Sequence, residues 1–68
     1  MYTSKFHAKC IAHKRAITEG KTYFVVEDEG KYDVVTGYVL DTFYGGGTHD
    51  AIVCAAEPDG SIDDGRSI

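Results

Sequence analysis

The sequence predicts a small, mostly β domain, an antiparallel barrel of four to five short strands. Three observations lead there. Runs rich in β-branched and aromatic residues recur at short intervals and are separated by turn signals. Eight glycines, one proline, five tyrosines and three phenylalanines suit strands and tight turns better than long helices. Closure into a barrel also removes the edge strands that a small β protein must otherwise protect.

The chain has 68 residues, which is the size of one domain. A chain this short buries only about 60% of its unfolded surface, so self-association or a partner would add to its stability. Its core has little room for a deep substrate pocket, which argues against an enzyme. No apolar run reaches the ~20 residues that cross a bilayer, so no membrane association is expected. The polar stretch Met1–Lys9 has no apolar core of a secretory signal, so a cytoplasmic protein is expected. Cys10 and Cys54 are then free thiols in expectation, with a bridge as the alternative if the first and last strands are neighbours.

The net charge is −4 but it is unevenly spread. Residues 1–22 sum to +4 and residues 23–68 to −8. This predicts a dipolar surface. The plainer reading is ordinary solubilising charge.

Taken in order, Phe6, Ala8, Cys10 and Ala12 alternate with His7, Lys9, Ile11 and His13, the period of a strand. A helix competes there, because Ala and Lys favour it. Glu19-Gly20 reads as a turn. Thr22–Glu27 is the clearest strand, Asp28–Lys31 a hairpin turn, and Tyr32–Thr36 the returning strand. Tyr38–Tyr44 reads as a third β-rich run, Gly45–Thr48 as a loop, and Ala51–Ala55 as a buried last strand. Residues 1–56 form the barrel domain in this reading, and residues 57–68 an acidic, loosely ordered C-terminal tail.

The segments Ala8-Lys9-Cys10-Ile11, Ile17–Glu27 and Gly30–Val34 resemble the small SH3-like barrel proteins of phages and bacteria. Those proteins show a Lys-Cys-Ile start, a Thr-x-Gly-Lys-x-Tyr centre and an acidic glycine turn into a Tyr-x-Val strand. The likeness spans residues 8–35, whereas the glycine loop and the tail have no counterpart in it. It implies an SH3-like barrel that serves as a binding module. It also suggests a phage or prophage origin, and small acidic phage proteins often block host enzymes or defence systems.

Several residue sets are candidates for chemistry. His7, Cys10 and His13, with Cys54 as a fourth ligand, would converge on zinc only if they lay on a helix. On a strand Cys10 points away from both histidines, so no metal or other cofactor is expected. A cysteine with His49 and Asp50 lacks any local nucleophile signature, and no catalytic residue is assigned. The Gly45–Gly47 run lacks the Lys-Ser/Thr of a phosphate loop and is read as a loop tip.

The function expected is therefore protein binding without catalysis, in the manner of an inhibitor of a host or defence protein. The assigned contact patch is Tyr38, Phe43, Tyr44 and Gly46 with Asp41 and Asp50. Tyrosine suits interfaces because it is large, amphipathic and poor in rotamers. The competing role for these aromatics is core. The alternative function is nucleic-acid binding by Lys5, Lys9, Lys14, Arg15 and Lys21, against which stands an isoelectric point of about 5.1. A homodimer is a further expectation, because association adds buried area.

Overall fold

The computed structural model describes residues 2–43 and 52–63. Helix α1 spans Lys5–Glu19, and strands β1 (Tyr23–Asp28) and β2 (Lys31–Thr36) form a hairpin. Helix α2 (Gly37–Phe43) follows, then β3 (Ile52–Ala56) and β4 (Ile62–Asp63). All strand pairs are antiparallel, in the order β2-β1-β3-β4.

The small antiparallel β domain is therefore present, but its sheet is open. Closure into an SH3-like barrel would require the outer strands to pair, and β2 and β4 stand at opposite ends of the sheet. The outer edge of β2 is instead held by Tyr2, which exchanges two 2.7 Å backbone hydrogen bonds with Tyr32.

The expected first strand is a helix. Ser4 caps α1 by accepting from the His7 N–H at 3.2 Å. Gly20 ends it with a left-handed φ of 68°, its N–H donating to the Ala16 carbonyl. Ala8, Ala12 and Ala16 are spaced four residues apart and are fully buried. They form a smooth stripe on which the helix approaches the sheet closely. Ala8, Ala12 and Ala16 share a face at either period, but a strand would place Lys14 on that same face, and only the helical period leaves Lys14 in solvent while all three alanines are buried.

The hairpin matches its sequence signals. Glu29 and Gly30 both have positive φ, 52° and 80°, which is the two-residue turn whose twist suits a β-hairpin. The register runs from Tyr23 opposite Thr36 to Asp28 opposite Lys31.

The expected third strand is also a helix. In α2, Val39 and Leu40 pack together against Val26, Val35, Phe24 and Ile52. A strand would have put Tyr38 on the same face as Leu40. The helix leaves Tyr38 outside and buries two adjacent apolar residues. Local β propensity yields here to burial.

The two sheet faces have separate cores. Beneath α1 lie Tyr23, Val25, Val34, Val53, Cys54 and Ala56. On the other face α2 covers Val26 and Val35. No described helix is long and apolar enough to cross a membrane.

Candidate protein-binding surfaces

Two exposed surfaces stand out, one on each helix. On α2, Tyr38 is 77% exposed and Asp41, one turn further on, is also exposed. The backbone beneath them is fixed by the burial of Leu40 and by the join to β2, where the Val39 N–H lies 3.4 Å from the Thr36 hydroxyl oxygen. The helix thus presents an amphipathic ring and a carboxylate from an anchored support. Of the remaining assigned contact residues, Phe43 is the last residue of α2, and Tyr44, Gly46 and Asp50 lie outside the described residues.

The second surface lies between α1 and β4. Phe6, Lys9, Cys10, His13 and Ile62 line an open groove of about 380 Å³. Ile62 pairs with Ala56, whose side chain belongs to the core under α1, so Ile62 points to the α1 side of the sheet. The β3–β4 turn reaches the helix. His13 Nε2 lies 3.1 Å from the Gly60 carbonyl oxygen, and a Cβ on Gly60 would lie 3.8 Å from Ile17 Cδ1. Asp59 shapes this turn by accepting from the Ser61 hydroxyl at 2.7 Å and its N–H at 2.9 Å. These bonds hold the exposed Asp59 carboxyl below its ordinary range, the hydroxyl contributing most.

The sequence places Phe6 only beside the basic residues of the nucleic-acid alternative, Ile62 only as an anchor of the tail, and Ile17 in no site. The signal that would have found the helical part is the spacing Phe6, Cys10, His13, Ile17, which marks one face of a helix and is meaningless on a strand.

The basic residues Lys5, Lys9, Lys14 and Arg15 all fall on α1, and Lys21 follows it. Successive helical residues step by about 100°, so these four fan around the helix instead of forming one row. Lys9 lines the groove beside β4, while Lys14 and Arg15 border a separate hollow with Ile11, Thr18 and Glu19.

His7, Cys10 and His13 do share a helix, which is the condition set for a metal site. His7 packs edge-on against Tyr2 with ring centroids 5.1 Å apart, and His13 faces Gly60. Cys54 is 1% exposed in the core, away from exposed Cys10. Neither cysteine takes part in a disulfide. Among the described residues no group of three or more His, Cys, Asp or Glu side chains is gathered for a metal ion. The His49–Asp50 pair lies outside the described residues.

In comparison with known proteins, the chain matches no family model, no curated protein and no solved structure.

Proposed function

We propose that the chain is a non-enzymatic protein-binding module that engages its partner through an acidic and aromatic surface centred on α2. The observation that carries this reading is Tyr38, fully presented on a helix whose next two residues are packed against the sheet. A ring held in this way gives up little freedom on binding, and tyrosine at such positions commonly supplies a large share of interface energy. Asp41 adds a negative charge one turn away, which favours a partner with a basic face. Tyr44, Gly46 and Asp50 follow α2 in sequence and belong to the same assigned surface. Inhibition of a host or defence protein is the form of binding that the resemblance to phage proteins suggests.

The test is capture of partners from bacterial lysate with tagged protein, with and without nuclease, beside a Tyr38→Ala variant. One protein retained under both conditions and lost with Tyr38→Ala supports the reading. Retention by Tyr38→Ala removes α2 as the contact, and material that vanishes with nuclease transfers the function to the cations of α1.

A further inference from the structure

Four large hydrophobic side chains are exposed among the described residues, and three of them, Phe6, Ile17 and Ile62, lie on the α1–β4 side. Phe6 is 76% exposed, Ile17 50% and Ile62 41%. Scattered exposed apolar residues are ordinary, whereas a gathered set marks an interface.

The spacing on α1 is compatible with a second copy of the same helix as the occupant. Phe6, Cys10, His13 and Ile17 are separated by four, three and four residues, the alternation of a helix–helix seam. The series is also symmetric about its midpoint. Turned end for end, it places Phe6 opposite Ile17 and Cys10 opposite His13, so its register matches that of an antiparallel copy of itself.

Charge supports the same pairing. Lys9 lines the groove toward the N-terminal half of the seam. Asp59 stands in the turn whose Gly60 meets His13 and Ile17 in the C-terminal half. A two-fold axis through the seam midpoint brings Lys9 of each copy toward Asp59 of the other. Such a contact is isologous, each patch meeting itself. The opposite edge of the sheet is already occupied by Tyr2.

We infer that the α1–β4 face is a self-association surface, on which a second copy of this chain docks with its α1 antiparallel to the first and with Phe6, Ile17 and Ile62 buried between them. This surface is distinct from α2, so the inference does not depend on the partner-binding reading.

The test is the solution mass by sedimentation over a concentration series, with circular dichroism to follow folding. The wild-type chain is expected at twice its 7.4 kDa mass at high micromolar concentration. Phe6→Asp should be a folded monomer, because that side chain contributes little to the monomer core. Lys9→Glu and Asp59→Lys should each dimerise at least tenfold more weakly. Mixing the two should restore association, since both cross-copy pairs are then of opposite charge. Tyr38→Ala should remain a dimer. A wild-type monomer at these concentrations overturns the inference, whether or not another protein covers the face. So does a Phe6→Asp dimer, or a mixture of the two charge variants that associates no better than either alone.

Discussion

The Tyr23 hydroxyl donates a 2.5 Å hydrogen bond to Oε1 of Glu19, tying the last residue of α1 to the first residue of β1. Three residues separate the two elements, so this bond sets how the helix turns back onto the sheet. Thr22 contributes from the same connection by donating at 2.8 Å to Glu57, just past β3. The end of the helix is thereby tied to both β1 and β3, beside the buried alanine stripe.

Tyr23→Phe removes the first of these bonds and leaves the ring. The expected loss is about 1 kcal/mol, the net worth of one hydrogen bond, read as a lower urea midpoint with an unchanged slope. An unchanged midpoint would mean that the bond does not position α1.

The same contact makes stability depend on alkaline pH. The hydrogen bond to Glu19 raises the Tyr23 pKa above its ordinary 10.0, with burial and the Glu19 charge adding to it and Arg15 opposing. The folded state therefore holds this proton more tightly than the unfolded state. The contribution is complete below pH 10 and is lost as pH rises through the folded value. The stability gap between wild type and Tyr23→Phe should be constant from neutral pH to about pH 10 and should shrink as pH rises above it toward the folded value. A gap that widens at alkaline pH would contradict the sign.

The hairpin turn has one residue that suits it poorly. Glu29 sits at φ 52° without being glycine, followed by Gly30 at φ 80°. Glu29→Asn gives the turn the Asn-Gly pair it favours, and a stabilisation of up to about 1 kcal/mol is expected in thermal unfolding. Gly30→Ala should cost about 1 kcal/mol although the space around it is open, because the cost is in the backbone.

Ala12 is fully buried where α1 meets the sheet. Ala12→Leu should destabilise by about 1–3 kcal/mol through overpacking. Lys14→Leu, on the exposed side of the same helix, should change stability by less than about 0.5 kcal/mol. Comparable effects at both positions would mean that the alanine stripe is not the packed face.

The two cysteines should separate by reactivity. In dilute protein, exposed Cys10 should react with a thiol reagent within the mixing period, and Cys54, 1% exposed, only as the chain opens. Raising the protein concentration should slow Cys10 as copies associate. Equal rates for both thiols would place Cys54 outside the core.

The sequence alone determined the hairpin, because Thr22–Thr36 carries strand residues on both sides of an Asp-Glu-Gly-Lys turn and needs no distant partner to be read. It also determined a short apolar strand ending near residue 55, while leaving Tyr38 open between a surface and a core position. Tertiary structure decided the two helices. The period-two alternation of Phe6–Ala12 does not exclude a helix, because Ala8, Ala12 and Ala16 share a face at either period, and only the packing, which buries these three and leaves Lys14 in solvent, selects the longer one. The β-rich letters of Tyr38–Phe43 yield in the same way to the joint burial of Val39 and Leu40 over Val26 and Val35. The open sheet and the α1–β4 face follow from those two choices. A seam formed by Phe6, Cys10, His13 and Ile17 exists only on a helix, and its meeting with Ile62 depends on a contact across most of the chain, which no local pattern encodes.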